Sequence, residues 1–268
     1  MSICLFLIDC QIDFCEGGAL PVTGATKDME RLAAMIKKYG GDIDDIQITM
    51  DSHYHMHIAH ACFWKDKEGN NPIPFKDGLP TVISHESIVK GDWMPFNDNF
   101  KDWVLSYTEG LEKKGRYQLT IWPDHCIIGG PGHNIHPVLF EAIQEWERKY
   151  SAIAQRITKG SNPFTEHYSA VKAEVPRSDD PSTQMNGKLI NTLKDFDIIL
   201  TGGEALSHCL NFTVSDTAEE FSEEEVKKFV LLEDGTSNVP GCDQLGQDFI
   251  ERMTKKGMAI STTDKFFK

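Results

Sequence analysis

Apolar positions along the chain fall into two alternating patterns. Short continuous runs predict strands covered on both faces. They are Ile3–Ile8 (ICLFLI), 46–50, 152–158, 197–201, Phe229–Leu232 and 257–261. Between them, apolar residues recur at helical spacing. Ala25–Tyr39 carries Met29, Leu32, Ala33 and Ile36, and 138–150 carries Leu139, Ala142, Ile143 and Trp146. Further helices are expected over 185–193, from Leu210 through Val214 to Thr217, and along Leu245, Phe249 and Met253. Strand and helix in strict alternation predict an α/β fold. It is three-layered and Rossmann-like, with a mainly parallel sheet and helices on both faces.

The alternation lapses between 63 and 118, where Gly, Asn and Pro mix with aromatic residues and only 100–114 has helical spacing. Loops this long in compact domains are functional or disordered. Trp64, Phe75, Trp93, Phe96 and Trp103 argue against disorder. The expectation is a single domain, 1–268, with a long insertion at about 63–118 that serves as a lid or an oligomer contact.

Composition narrows the function classes. The chain has 268 residues, of which 40% are hydrophobic, and a formal net charge of −14. That is enough to bury a large core. No basic patch or arm is present to bind nucleic acid or anionic membrane surfaces. The apolar start lacks a basic leader and meets Asp9 early, so it reads as a buried strand and not a signal peptide. Seven cysteines without framework spacing read as reduced thiols in a cytoplasmic protein. The acidic stretch at 219–225 reads as solvated surface.

Chemistry concentrates at predicted strand ends, where α/β proteins build their sites. The first strand ends at Asp9, the strand at 152–158 at Lys159-Gly160, and the strand at 197–201 at a Gly-Gly turn leading to Cys209. A cysteine in the first turn of a helix feels the positive end of its dipole, which favours the thiolate. A carboxylate can take the thiol proton and later return it to an amine leaving group, and a lysine beside it holds it ionised. Separately, Asp51 and His53 with His125 of a Trp-Pro turn offer one carboxylate and two imidazoles. That set suits an open, catalytic Zn²⁺ or Fe²⁺ site, with His55, His57 and His60 as alternative ligands.

Five motifs, LFLIDCQIDFCEGGALPVTGA, MDSHYHMHIAHA, IWPDHCIIGGPG, ITKGSNPFTEHYSA and GGEALSHCLNFTVSDTA, resemble in content and order those of the isochorismatase-like cysteine hydrolases, and among them the nicotinamidases. The resemblance implies that Asp9, Lys159 and Cys209 form a catalytic triad, and that Ala205 and Cys209 supply the oxyanion hole. It implies that Phe14 and Trp122 sandwich a pyridine ring. It implies a divalent metal on Asp51, His53 and His125, with His57 as a further candidate; the metal is Zn²⁺, with Fe²⁺ or Mn²⁺ as alternatives. It also implies a non-proline cis peptide at Glu204–Ala205 and a homo-oligomer acting on a small-molecule amide. Isochorismatases lack the cysteine, which sets that branch aside. Two features depart from the family pattern: the length of 63–118, and Ser52 where nicotinamidases usually carry an aromatic residue. The expected reaction is hydrolysis of nicotinamide to nicotinate and ammonia through a cysteine thioester. An amidase for another small amide, or a non-catalytic binding module on the same fold, are the alternatives.

Overall fold

The computed structural model describes residues 1–77 and 79–268. Along the chain, β1 (Ile3–Ile8), α1 (Ala25–Tyr39) and β2 (Asp45–Asp51) come first. The next segment carries β3 (Trp64–Lys65), β4 (Phe75–Lys76), β5 (Leu79–Ile83), α2 (His85–Val89), β6 (Met94–Pro95), α3 (Lys101–Lys113) and β7 (Leu119–Ile121). Regular alternation then resumes with α4 (Pro137–Tyr150), β8 (Gln155–Lys159), α5 (Gly187–Lys194) and β9 (Ile198–Gly203). It ends with α6 (Asn211–Glu219), α7 (Glu223–Val226), β10 (Phe229–Leu232), α8 (Asp243–Lys255) and β11 (Ala259–Ser261).

Six strands form one parallel sheet in the order β11-β10-β9-β1-β2-β8. Alternate side chains of β1 feed opposite layers, as the period of two requires. Cys4, Phe6 and Ile8 pack with Val104 of α3, Leu189 of α5, Val214 of α6 and Phe249 of α8. Ile3, Leu5 and Leu7 pack with Leu32 of α1 and Leu139 of α4. Helices on both faces explain why β1 is apolar at every position. Burying each such side chain contributes about 1.5–3 kcal/mol.

Among the element boundaries that differ from expectation, two have a clear local reason. The Gly-Gly pair is the end of β9 and not a turn, because Gly203 pairs with Ile8 across the sheet. Its φ is +110°, and a Cβ there would lie 2.1 Å from the Ile8 carbonyl oxygen, so only glycine lets the two backbones meet. Strand β8 starts at Gln155, three residues late, and it lies at the sheet edge with Gln155 and Arg156 exposed. An edge strand is not covered on both faces.

The segment from 63 to 118 is ordered around its aromatic residues. Phe63, Trp64, Val104, Tyr107 and Leu111 are buried in the apolar cluster that also holds Phe6. Trp103 Nε1 donates to the Phe164 carbonyl at 2.8 Å. β5 pairs antiparallel with β4 and β7, which puts Phe75 near the carboxyl edge of the main sheet. The acidic stretch opens α7 with a capping box: Ser222 and Glu225 each bond the other's backbone N–H. Among the described residues, no helix is long and apolar enough to cross a membrane.

Candidate active site

β1 delivers Asp9 and β8 delivers Lys159, while Cys209 follows β9. Asp9 turns the chain at φ 44°, a conformation that non-glycine residues hold only when neighbours enforce it. Here its N–H bonds the Thr49 carbonyl at 3.2 Å, and Thr49 Oγ1 donates to Oδ1 at 2.5 Å. Lys159 stands opposite Asp51 in the β2–β8 register. Its ammonium lies 2.9 Å from Asp9 Oδ2 and 3.0 Å from Asp51 Oδ1. It also donates to the His167 carbonyl at 3.0 Å and reaches Cys209 Sγ at 3.6 Å. Burial opposes its charge, but Asp51 and then Asp9 outweigh burial and hold the ammonium protonated well above the ordinary range.

Cys209 occupies a single wide turn of π-helix, Leu206–Leu210, just before α6. The expected low-pKa thiolate is not what the site favours. Burial pushes the thiol well above its ordinary pKa, and Lys159 only partly offsets this. The sulfur therefore needs a base. Asp9 is the carboxylate beside it, and burial raises its basicity against the pull of Lys159. The Glu204–Ala205 peptide is cis. Among the described residues the Ala205 N–H makes no hydrogen bond, and Ala205 lines the same cavity as Cys209.

That cavity, about 320 Å³, is walled by Phe14, Phe75, Trp122, Tyr168 and His208 with Cys209 at its base. Trp122 Nε1 donates to the Tyr168 hydroxyl at 2.8 Å, which fixes both rings. A mostly apolar hollow with a few convergent polar groups is the usual form of a small-ligand site.

Asp51 joins this base to a second cluster. His53 Nε2 lies 3.0 Å and His125 Nε2 3.3 Å from Asp51 Oδ2. The opposite nitrogens donate to carbonyls, His53 Nδ1 to Gly160 at 3.1 Å and His125 Nδ1 to Pro123 at 2.8 Å, which fixes both rings with Nε2 turned inward on Asp51. Gly160 sits at φ +83°, and a Cβ there would lie 2.7 Å from the His53 ring, which accounts for the glycine after Lys159. The donor atoms of Asp51, His53 and His125 lie within 4.8 Å of one another, as do those of His53, His57 and His60. Nε2 of His57 and of His60 is buried without a hydrogen-bond partner. Burial holds His57 neutral and lowers His60 to about 3, so both carry the lone pair that a metal needs. Unpartnered buried nitrogens beside a carboxylate are what a bound cation would satisfy. His55 is outside this set: it is exposed and paired with Asp124.

No family model matches the chain. The Escherichia coli (strain K12) nicotinamidase is 27% identical over 217 residues, which is 80% of this chain and 76% of that protein. The yeast nicotinamidase solved with the inhibitor nicotinaldehyde superposes at a TM-score of 0.65 with 17% identity, covering 97% of this chain and 100% of that one. The Pyrococcus horikoshii pyrazinamidase solved with zinc superposes at 0.58 with 19% identity, covering 98% and 99%.

The chain is thus similar in sequence to nicotinamidases and shares the fold of solved nicotinamidase structures.

The structure brings Asp9, Lys159 and Cys209 together, places Phe14, Trp122 and Ala205 on one cavity, and gathers Asp51, His53 and His125 at its side. Sequence reasoning missed that Asp51 bonds Lys159 and so links the two clusters. It also missed Tyr168, His208, Phe75 and Gln11. Gln11 Nε2 donates to the Asp51 carbonyl at 2.8 Å, and its Oε1 accepts from the Asp51 N–H at 2.7 Å. The signal for Tyr168 was its place just after the Lys-Gly strand end. Phe75 had no local signal, because only β5 pairing with β7 carries it to the cavity.

Proposed function

We propose that this protein hydrolyses the carboxamide of nicotinamide to nicotinate and ammonia. The observation that carries the reading is Lys159, whose ammonium holds Asp9 and reaches Cys209 at the base of an aromatic-walled cavity, while Asp51 ties the same lysine to the imidazole cluster. Phe14 and Trp122 would flank the ring. Asp51, His53 and His125, with His57 or His60, would hold a divalent metal, for which a carboxylate and neutral imidazoles suit Zn²⁺. When bound, such a metal supplies a Lewis-acid anchor for the pyridine nitrogen.

The residues of the chain divide the reaction as follows. Cys209 gives its proton to Asp9 as its sulfur attacks the carboxamide carbon, and the carbonyl electrons move onto oxygen. The N–H groups of Ala205 and Cys209 hold that oxygen; one such donor is worth about 2.7–4 kcal/mol of transition-state stabilisation. Asp9 passes the proton to the leaving nitrogen, the C–N bond breaks, and ammonia departs from a thioester. A water gives a proton to Asp9 and attacks the thioester. Nicotinate leaves as the sulfur recovers a proton. Lys159 keeps the site charge-balanced at both stages. Free cysteines throughout accord with a cytoplasmic enzyme. A homo-oligomer is part of this reading and is checked by light scattering.

A second reading, an amidase for another small amide, draws on Phe75, which reaches the cavity from the long segment. Ammonia release from nicotinamide, with Cys209→Ala alongside, separates the readings. Release that disappears in Cys209→Ala supports the first. Release that persists in the variant overturns the cysteine mechanism. No release from a wild-type protein whose Cys209 still reacts with iodoacetamide favours the second, and a screen of small amides follows.

A further inference from the structure

Behind the oxyanion turn lies a buried acidic pair that the reaction does not use directly. Glu204, the residue before Ala205, is fully buried, and Asp28 in the first turn of α1 is only 3% exposed. Both converge on Ser237: its hydroxyl donates to Asp28 Oδ2 at 2.6 Å and its N–H to Glu204 Oε2 at 3.2 Å. The Ser237 carbonyl accepts from the Leu206 N–H at 2.8 Å. Ser237 thus ties both flanks of Ala205, Glu204 on one side and Leu206 on the other. The Glu204 N–H is anchored to the Ile8 carbonyl at 2.7 Å, while Glu204 Oε1 is buried without a partner.

We propose that Asp28 and Glu204 are positioning residues that share one proton and, through Ser237, hold the Ala205 N–H aimed at the substrate oxygen. This rests on the reading of Ala205 as an oxyanion donor. Two dry carboxylates this close cannot both be ionised, as in other carboxyl dyads. Burial first, and then Asp28, lifts the Glu204 carboxyl well above the usual range; burial also lifts Asp28. The surroundings add little relief. Arg31 bonds Asp28 Oδ1 at 2.8 Å from a half-exposed position, and it is the cation that faces the pair. Asp234, Glu16 and the thiols of Cys10 and Cys15 also face it, and none favours a second negative charge. Loss of the shared proton at high pH would set the two carboxylates against each other across Ser237 and displace the turn.

The test uses nicotinaldehyde as a probe of the oxyanion. Cys209 sulfur adds to its carbonyl carbon, the carbonyl electrons move onto oxygen, and the thiol proton passes to Asp9. Affinity for pyridine, which has no carbonyl or carboxylate oxygen, is the reference. Wild type should lose about tenfold or more in the aldehyde-to-pyridine affinity ratio between about pH 7 and pH 10. Glu204→Gln and Asp28→Asn, which cannot ionise at the substituted position, should both flatten that loss. Glu204→Ala should lower the ratio by about 10²-fold at neutral pH. Ala205→Pro, which removes the N–H, tests the underlying reading. A ratio unchanged in Ala205→Pro would overturn the oxyanion assignment and this proposal with it. A ratio lost in Ala205→Pro, with Glu204→Gln and Asp28→Asn as steep in pH as wild type, would overturn the carboxyl pair alone.

Discussion

Replacing Glu174 with Gln should make the protein more stable, and only above mildly acidic pH. The Glu174 side chain is 1% exposed, its nearest cation is Arg116 at 3.7 Å, and neither of its oxygens accepts a hydrogen bond. Arg116 is committed instead to Asp216 at 3.0 Å and lies over the Phe212 ring, which stacks on Tyr168 of the cavity wall. Burial outweighs the pull of Arg116 and raises the Glu174 carboxyl from 4.5 to about 7. Between those values the folded chain keeps a proton that the unfolded chain releases. Stability therefore falls as pH rises through the window. At about 1.36 kcal/mol per pKa unit, the loss approaches about 3 kcal/mol once the pH exceeds the folded value. Gln cannot ionise and carries no such slope. Urea unfolding followed by tryptophan fluorescence at about pH 4 and about pH 8 reads the difference. The variant should match wild type at the lower pH and exceed it by up to about 3 kcal/mol at the higher. A wild-type-minus-variant difference that is the same at both pH values, within about 0.5 kcal/mol, would refute the assignment.

Other expectations bear on the site and the long segment. His53→Ala should sharply lower the metal bound per chain, measured by elemental analysis; unchanged stoichiometry would remove His53 from the ligand set. Dialysis against a chelator should abolish ammonia release, and added Zn²⁺ should restore it; activity that survives complete metal loss would exclude a metal role. Trp64→Ala should cost about 3–5 kcal/mol in urea unfolding, because the ring is fully buried and its Nε1 donates to the Ile58 carbonyl at 2.6 Å. A loss under about 1 kcal/mol would mean that the segment folds apart from the core. Phe75→Ala should raise KM for nicotinamide about threefold or more with kcat nearly unchanged, as loss of uniform binding does. A fall in kcat alone would contradict a role in ring binding.

Much of this fold was legible locally. The run ICLFLI could only be a strand covered on both faces, and Ala25–Tyr39 announced its helix and its buried face by spacing alone. Asp9, Lys159 and Cys209 could be singled out because a parallel sheet brings its strand ends to one edge. Three things depended on contacts between distant residues. Gly203 continues β9, where Gly-Gly alone suggested a turn, because the backbone of Ile8 lies against it. The Cys209 thiol is held protonated because the surrounding core excludes water, an effect that a helix-dipole argument leaves out. Asp51 serves both the lysine and the imidazoles because register sets it opposite Lys159. Periodicity and residue type are properties of neighbours along the chain, so the sequence by itself determined the elements and the cast of reactive groups. Distances, dielectric surroundings and shared partners are properties of neighbours in space, and the tertiary structure alone decided those.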